Sequence, residues 1–429
     1  MPENVEGSNG PPGEIARMRG VAMADSHTRR VPGSRRRLAV VESAPKGGLL
    51  QYAAQLADGL AASGHDVELI TARDNELLGM SGGHARMRAV LVAAMPNPSE
   101  PPTGWRYLVR RAGIAVRLVR AIARTLWETR RGGYDAVILI DDLNVPLAAA
   151  GALLQVALPF GPRTAAICHE PRPRNRWAGE ELYVESRLLN ALLRSLYTRL
   201  DLVMVHGERS RDELHQAWGP VRAAVIPHGD QGLVGGLPRP LGESECILFF
   251  GDWRRAKGLP ELLQAFEVIE QRRPAATLTI AGTPSPDGDP AAVRAWAARR
   301  RDRVEIIDRY VPLEDVPDLF AQARVVAVPY LAGSQSGVLH LAMTAGRPVV
   351  GTDVGELATT IIDGVTGRIV PAGDVDALAS ALEEVLADRE LAARWGTAGR
   401  RRAEEELSWE RVGRRVLEEL DSVVARPVG

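Results

Sequence analysis

Hydrophobic residues recur along the chain in short runs that alternate with longer amphipathic stretches. The first run, Arg37 to Glu42 (RLAVVE), leads into a glycine loop, an amphipathic stretch from Leu49 to Ser63 and a second apolar run, HDVELIT. The short runs predict strands and the amphipathic stretch predicts a helix. A strand, helix and strand at this spacing form a βαβ unit, so we expect a parallel sheet with a right-handed crossover.

The alternation continues in two sets of strands. The first set continues at Ala136 to Ile140, Thr164 to Cys168, Leu202 to Val205 and Ala223 to Ile226. The second set comprises Cys246 to Phe250, Thr277 to Ala281, Val304 to Ile307, Val325 to Val328, Pro348 to Gly351 and Gly367 to Val370. A stretch rich in glycine and proline, Gly229 to Gly242, separates the sets and predicts a linker. We therefore expect an α/β protein of two Rossmann-like, doubly wound parallel sheets that face each other across a cleft.

These patterns predict five segments. Residues 1–34 are rich in Gly, Pro, Ser and Arg, which is typical of a disordered tail. The first domain then covers residues 35–232, the linker 233–243 and the second domain 244–408. A final helix within 409–429 would cross back towards the first domain.

Composition narrows the functional classes. The chain has 429 residues, 45% of them hydrophobic and 25% charged, and a formal net charge of -1, which is typical of a soluble enzyme and gives no global attraction to nucleic acid. Cys168 and Cys246 lie in apolar runs without metal-ligand spacing, so we interpret them as buried thiols of a cytoplasmic protein.

Lysine is rare in this arginine-rich chain. Of 53 basic residues only Lys46 and Lys257 are lysine, and each precedes glycine in a loop between a predicted strand and helix, where an ammonium group can meet phosphate. In the first loop, Gly47 and Gly48 would let a ligand approach the backbone at a helix start, which favours an anion. The G-x-G-x-x-G fingerprint is missing here, which counts against an NAD-dependent enzyme.

The second loop lies within ILFFGDWRRAKGLPELLQAF. A strand delivers Gly251, and Arg254 and Lys257 follow beside a helix start. Two fixed cations there can hold a diphosphate and stabilise the charge that develops on it as a leaving group, so no metal is expected. A solvated basic loop is the alternative.

A polar loop follows a later strand of the second set. Ser334, Gln335 and Ser336 offer hydroxyl and amide groups, and the helix that begins at Gly337 and Val338 offers unsatisfied N–H donors. Phosphate and sugar hydroxyls match these donors and acceptors. An ordinary helix cap is the alternative.

One histidine is placed for chemistry in the first domain. His169, in His169-Glu170-Pro171, follows a predicted strand and should face the cleft, where it can bind a sugar hydroxyl or orient an acceptor, unless it is structural. His206 and His228 also end strands, and we expect mainly structural roles for them.

Residues 106–131 predict a basic amphipathic helix. Its apolar stripe consists of Leu108, Ala115, Val119, Ile122 and Leu126, and its basic stripe of Arg110, Arg117, Arg124 and Arg131. The basic stripe is either a solvated face or a docking site for anionic lipid headgroups.

The segments FFGDWRRAKGL, DRYVPLEDVPDLFAQARVVAVPY and SQSGVLHLAMTAGRPVVGTDVGEL resemble family 4 of the retaining glycosyltransferases, in a bacterial branch with SQSG before the C-terminal helix. The resemblance covers about residues 36–425. It implies the GT-B fold, donor diphosphate contacts for Arg254 and Lys257, a loop role for Gly47 and Gly48 and a cleft role for His169. The two glutamates usual in the family fall on Gly333 and Leu341 here, so Ser334, Gln335 and the backbone of Gly337 and Val338 would have to contact ribose and sugar.

The expected function is retaining transfer of a hexosyl unit from a nucleotide diphosphate sugar to a hydroxyl of a glycan or lipid-linked acceptor. His169, Arg254 and Lys257 are the expected catalytic residues. The enzyme would be cytoplasmic, and peripheral at the inner face of the membrane if the basic stripe of residues 106–131 docks on lipid. Loss of the paired glutamates leaves a non-catalytic partner protein as one alternative. A sugar-nucleotide epimerase is the other.

Overall fold

The structure is a computed structural model that describes residues 35–79, 83–91, 105–140, 150, 152–154, 156–158, 161–172, 187–232, 234 and 237–423. In the helix that begins at Trp105, side chains are described for residue 113 and for the residues from 116 onward. The helices and strands of both sheets belong to one compact unit of the chain, Arg36–Gly429. The predicted disordered tail, Leu108, Arg110, Ala115 and the end of the segment 409–429 lie outside this description.

Seven parallel strands form the first sheet. They are β1 (Arg37–Val41), β2 (Asp66–Ala72), β3 (Arg86–Leu91), β4 (Ala136–Ile140), β5 (Arg163–Ile167), β6 (Leu202–Val205) and β7 (Ala223–Val225). Their order across the sheet is β3-β2-β1-β4-β5-β6-β7. The order reverses between β1 and β4, and such a switch point opens a crevice at the carboxyl ends of the strands.

β3 was not predicted from the sequence. It is the edge strand beside β2, and only its last residue, Leu91, is buried. Arg86 and Arg88 alternate along it and keep one side polar, as is common for edge strands. Its apolar signal was therefore too weak to identify.

Helices cover both faces of the first sheet. They are α1 (Gly48–Ala62), α2 (Trp105–Arg131), α3 (Arg187–Tyr197) and α4 (Glu208–Trp218). Alternate β1 residues enter opposite cores: Leu38 and Val40 join the core that contains α1, and Ala39 and Val41 join the core that contains the other three helices. A strand buried on both faces needs such a continuous apolar run.

The second sheet has six parallel strands. They are β8 (Cys246–Phe250), β9 (Thr277–Ala281), β10 (Val304–Ile307), β11 (Ala323–Val328), β12 (Val349–Thr352) and β13 (Gly367–Val370). Their order, β10-β9-β8-β11-β12-β13, again reverses beside the first strand of the set. The two sheets confirm the predicted α/β class.

The remaining helices follow in chain order: α5 (Leu259–Arg272), α6 (Pro290–Ala298), α7 (Val316–Gln322), α8 (Gly337–Thr344), α9 (Leu357–Thr360), α10 (Val375–Ala387), α11 (Arg389–Glu406) and α12 (Trp409–Ser422). Short 3-10 turns lie at Arg255–Lys257 and Pro286–Gly288. The second sheet lies between two hydrophobic cores, one with α5 and α10 and one with α7 and α8.

α12 belongs to the second half of the sequence but packs on the first domain. Trp409, Val412, Val416 and Leu420 recur at helical spacing and join the α1 core. Gly59 of α1 allows α12 to approach closely, because a Cβ at this position would lie 2.3 Å from the Trp409 carbonyl oxygen. The two domains are thus connected by the packing of α12 on α1 and by the chain around 228–243.

α2 has one buried face and one basic face. Ile122 and Leu126 are buried as the stripe predicted, Val119 is half-buried, and Leu118 joins the buried side. Within the described residues, no helix is both long and apolar enough to cross a bilayer. Cys168 and Cys246 are buried thiols that form no disulfide with each other.

Candidate active site

The loop after β8 carries the two predicted donor-binding cations. Gly251 has φ 125°, a conformation that favours glycine, and Gly258 has φ 68°. A Cβ on Gly258 would lie 1.8 Å from the Pro329 carbonyl oxygen, so the loop lies directly against the end of β11. The Ala256 carbonyl accepts the N–H of Leu331 at 2.8 Å. These contacts fix Arg254 and Lys257 beside the strand that leads into the SQSG loop.

Tyr330 connects this loop to SQSG. The Lys257 ammonium lies 3.7 Å from the centre of the Tyr330 ring, and the Ser336 hydroxyl donates to the Tyr330 oxygen at 3.0 Å. Ser336 also caps α8, since its hydroxyl oxygen accepts the N–H of Leu339 at 3.2 Å. Val338 lies against Gly251, because a Cβ added to Gly251 would be 3.7 Å from the Cγ2 atom of Val338. The structure therefore brings Gly251, Lys257, Ser336, Gly337 and Val338 together.

Arg254 lies in a strongly charged setting. Its guanidinium forms an ion pair of 2.5 Å with Asp252, and its side chain is 30% exposed. Burial alone would lower the pKa of Arg254, but the negative charges of Asp252 and Glu170 outweigh burial and raise it. Arg254 is therefore a permanent cation. Glu170 follows His169 in the first domain, so both domains contribute to this field.

The first two residues of SQSG differ in their surroundings. The Ser334 hydroxyl is buried and has no hydrogen-bond partner among the described residues. Gln335 reaches the first domain, where its amide donates to the His206 carbonyl at 3.4 Å. Gly333, at the place of one family glutamate, has φ 150°, and Leu341, at the other, is buried in the α8 core. A buried leucine cannot take over the role of a carboxylate there.

The glycine loop of the first domain forms contacts within the protein. The Gly47 N–H donates to the Glu76 carboxylate at 2.9 Å, and Gly48 begins α1. Tyr310 of the second domain donates its hydroxyl to the same carboxylate, and its ring lies 4.8 Å from the Lys46 ammonium. The loop predicted to bind the donor thus also joins the two domains through Glu76 and Tyr310.

His169 belongs to a cluster that the sequence did not reveal. The histidine cluster consists of His169, His206, His228 and His340, and Tyr52 lies against its first three members at ring separations of 4.6–5.3 Å. His340, on α8, stacks on His228 at 4.2 Å and thereby links the domains. Trp409 closes the far side of Tyr52 at 4.9 Å.

Burial keeps the cluster neutral. Desolvation, with a contribution from His228, lowers the pKa of His169 to about 3, and desolvation lowers the pKa of His228 to about 4. Burial lowers the pKa of His206 and His340 well below the ordinary value, and it raises that of the Tyr52 phenol. Neutral imidazole can donate one hydrogen bond and accept another, which suits sugar hydroxyls better than phosphate.

Several residues of this region gave no usable sequence signal. His340 and Tyr52 lie within apolar helical patterns, and Trp409 reads as a core residue of α12. Glu76 and Tyr310 make contact across 234 positions of the chain. Among the described residues, no group of three or more His, Cys, Asp or Glu side chains is arranged to hold a metal ion.

Two family models match the two halves of the chain. Residues 46–229 match Glycosyltransferase Family 4, and residues 244–388 match Glycosyl transferases group 1. The chain is 27% identical over 416 residues to the D-inositol 3-phosphate glycosyltransferase of Jonesia denitrificans, which covers 85% of this chain and 88% of that protein. The chain is a family 4-like glycosyltransferase.

Solved structures share the fold of this glycosyltransferase at low sequence identity. Sucrose-phosphate synthase from Thermosynechococcus elongatus has a TM-score of 0.69 at 19% identity, covering 90% of this chain and 99% of that one. Anabaena HepE, solved in complex with UDP-glucose, has a TM-score of 0.64 at 15% identity, covering 90% of this chain and 100% of that one. The two facing sheets of the glycosyltransferase therefore form the GT-B fold.

Proposed function

We propose that the protein transfers a hexosyl unit, with retention of configuration, from a nucleotide diphosphate sugar to a hydroxyl of a glycan or lipid-linked acceptor. The observation that carries this proposal is that Tyr330 contacts both predicted donor-binding segments. Lys257 lies over its ring, and Ser336 donates to its hydroxyl oxygen. Arg254 and Lys257 would supply positive charge, and the amide groups at the start of α8 would supply N–H donors. A diphosphate is the ligand that matches both.

Arg254 and Lys257 would stabilise the diphosphate as it leaves. Charge that develops on the leaving group meets two fixed cations and helix N–H donors, so we propose that no metal is required. The departing diphosphate oxygen would then accept the proton of the attacking hydroxyl on the same face of the sugar. This route needs no protein nucleophile, so it does not depend on the glutamates whose places Gly333 and Leu341 take.

The sugar would lie between SQSG and the histidine cluster. Ser334 and Tyr52 have buried hydroxyls, and His340 has buried ring nitrogens, without hydrogen-bond partners in the described part of the chain. Buried polar groups are costly unless paired, so these groups would favour a polyhydroxyl ligand. We propose that His169, as a neutral imidazole, binds a hydroxyl of the donor sugar or of the acceptor. Gln335 and the backbone of Gly337 and Val338 would complete the contacts to ribose and sugar.

The donor is identified by thermal shift against a panel of nucleoside diphosphate sugars. A donor present at a hundred times its Kd should stabilise the folded enzyme by about 2.7 kcal/mol. NMR of the glycoside product should show, at the new linkage, the anomeric configuration of the donor. Inverted product would reject retention. Stabilisation without transfer would favour a non-catalytic partner, and conversion of the donor sugar without an acceptor would favour an epimerase.

We further propose that α2 contacts anionic lipid. Its outer face presents Arg117, Arg120 and Arg124, together with Val116 at 49% and Trp127 at 43% exposure. Arginine with exposed aromatic and aliphatic side chains is typical of helices that lie in a lipid headgroup region. A lipid-linked acceptor would be reached from such a position.

Flotation with vesicles containing phosphatidylserine tests this contact. Arg117→Glu with Arg124→Glu should abolish flotation, because each basic residue contributes about 1 kcal/mol near an anionic surface. Arg401→Glu, on the exposed face of α11, is the matched control. Equal flotation of all three proteins would reject α2 as the docking face.

A further inference from the structure

Glu356 of the second domain is buried against the first domain. Its carboxylate accepts the backbone N–H of Ser210 at 2.9 Å and the Ser210 hydroxyl at 3.1 Å, and only 1% of the residue is exposed. The Thr359 hydroxyl donates to the other carboxylate oxygen at 3.2 Å. This carboxylate therefore has definite partners on both sides of the cleft.

The α4 start (residues 206–210) lacks a cap of its own. Gly207 occupies the N-cap position and has no side chain to accept the free N–H groups of the first turn. Glu356 takes over that role from the other domain, at a helix end that favours negative charge.

Gly207 also provides the space for this carboxylate. A Cβ there would lie 2.0 Å from the Glu356 Cδ. The φ of Gly207 is 178°, extended backbone that any residue adopts. The glycine is therefore needed for room and not for its backbone conformation.

Two further contacts connect the α4 start to the same part of the second domain. The Arg209 guanidinium donates to the carbonyls of Asp353 at 3.2 Å and Gly355 at 3.0 Å. Gln335 of SQSG donates to the His206 carbonyl at 3.4 Å. Docking of the α4 start thus involves the segment 353–356 and the SQSG loop together.

The main chain of Glu356 holds the SQSG loop. Its N–H donates to the Ser334 carbonyl at 3.0 Å. The neighbouring Gly355 packs so closely that a Cβ would lie 2.2 Å from the Gly333 carbonyl oxygen. One residue therefore contacts the first domain with its side chain and the SQSG loop with its backbone.

We propose that Glu356 is a positioning residue for sugar transfer, which couples closure of the cleft at the α4 start to the placement of the SQSG loop. This inference rests on the proposed role of SQSG in donor binding. When the carboxylate docks on α4, Ser334 and Gln335 are held at the interface where the acceptor and donor sugar would meet. Without the carboxylate, nucleotide could still bind at Arg254 and Lys257, but the cleft would close less often.

The kinetic test compares Glu356→Ala with Glu356→Gln. Loss of a buried, charge-assisted hydrogen-bond pair should lower kcat roughly 10- to 100-fold, while the Kd for UDP or GDP changes less than about 2-fold. Gln keeps an acceptor oxygen for Ser210 and should recover most of the lost kcat. Glu405→Ala, an exposed glutamate of α11, should leave both constants unchanged.

Gly207→Ala tests the same contact from the other domain. The new methyl group would displace the carboxylate and should reproduce the kcat loss of Glu356→Ala. The double variant should lose little more than either single variant, because both remove one interaction. Gly113→Ala, on α2 where a Cβ meets nothing within 4 Å, is the matched control.

A distance measurement separates this inference from the transfer activity. Dyes attached at Leu188→Cys and Asp302→Cys, both exposed and on different domains, report the separation of the domains, while Cys168 and Cys246 are buried. Glu356→Ala and Gly207→Ala should lower energy transfer relative to the labelled parent. Unchanged energy transfer with unchanged kcat would overturn the inference. A parent enzyme that transfers no sugar would instead count against the proposed function, and the dye distances would still decide whether Glu356 holds the domains together.

Discussion

Each face of the cleft has a lysine beside a tyrosine ring, but the two pairs make different kinds of contact. Lys46 and Lys257 each precede glycine after the first strand of a sheet, and each lies over a tyrosine ring, at 4.8 Å and 3.7 Å. Tyr330 belongs to the same domain as Lys257, whereas Tyr310 comes to Lys46 from the opposite domain. The lysine of the second domain is thus held by a residue of its own domain, whereas the loop of the first domain is part of the interdomain contact.

Charge distinguishes the faces in the same way. The first face presents neutral histidines, and a carboxylate, Glu76, already accepts the N–H of Gly47. The second face presents two cations, Arg254 and Lys257, on the loop beside the strand that leads to α8. A phosphate should therefore bind the second face, and hydroxyl groups should suit the first.

Acidification should give the largest effect, through the histidine cluster. Burial lowers the pKa of His169 to about 3 and of His228 to about 4. A solvated imidazole titrates near 6.5, so the stabilisation is complete above that pH and is lost as pH falls from about 6.5 towards 4. Between pH 7 and pH 5 the closed, folded enzyme should lose roughly 2 kcal/mol for each histidine that stays neutral. Thermal unfolding as a function of pH measures this loss.

Two variants show whether the cluster causes the pH dependence. His228→Gln should flatten it, because one suppressed titration is removed. His84→Gln, at an exposed position, should leave it as in the parent. Identical pH dependence in both variants would contradict an origin in the histidine cluster.

The lysine pair gives the next largest effect. Lys257→Ala should weaken binding of UDP or GDP by about 1.5–3 kcal/mol, which is at least tenfold in Kd, because a charged donor to phosphate is lost. Lys46→Ala should change that Kd less than about 2-fold, since its ammonium pairs with Tyr310 in the closed structure. Isothermal titration with both nucleotides measures the difference. Equal losses in the two variants would mean that both loops bind the diphosphate.

Much of the fold could be predicted from the chain alone because its signals are local. Each of the six strands of the second sheet is a short, mainly apolar segment, and Ser336 caps α8 by a contact with a residue three positions away. β3 was missed because its alternating arginines hide an edge strand. Local patterns also placed Arg254 and Lys257 beside a helix start.

The contacts between the faces could not be predicted. Glu356 meets Ser210 across 146 positions, and Tyr310 meets Glu76 across 234. These pairs depend on how two separately folded sheets dock, and no periodicity records that geometry. His340 shows the same limit, because its neighbours in the apolar helix α8 give no hint of the histidines opposite it.

Tyr310→Phe should produce a moderate effect, on the interdomain contact at Glu76. It removes the hydroxyl that donates to Glu76 but keeps the ring beside Lys46. Loss of one hydrogen bond to a carboxylate should weaken domain closure by about 1.5–3 kcal/mol at most and lower kcat without changing the Kd for nucleotide. Dye-labelled protein and steady-state kinetics measure both quantities.

Tyr134→Phe is the matched control for that variant. Its hydroxyl also donates to a glutamate, Glu68, but both residues belong to the first domain. It should affect stability and leave kcat unchanged. A similar fall in kcat for Tyr134→Phe would show that the Tyr310 effect is not specific to the interdomain contact.

Tyr330→Phe should have the smallest effect and tests what the ring itself contributes on the second face. The variant loses the hydrogen bond from Ser336 and keeps the surface under Lys257, so stability should fall by about 0.5–1.5 kcal/mol while the Kd for UDP or GDP stays within about 2-fold. Tyr330→Leu removes the ring as well and should cost a further 0.5–1 kcal/mol or so in nucleotide binding, because the lysine loses its cation–π contact and its fixed position. Thermal unfolding and calorimetric titration of the two variants separate these contributions. If Tyr330→Phe weakened nucleotide binding as much as Tyr330→Leu, the hydroxyl network through Ser336, and not the aromatic support of Lys257, would organise this face.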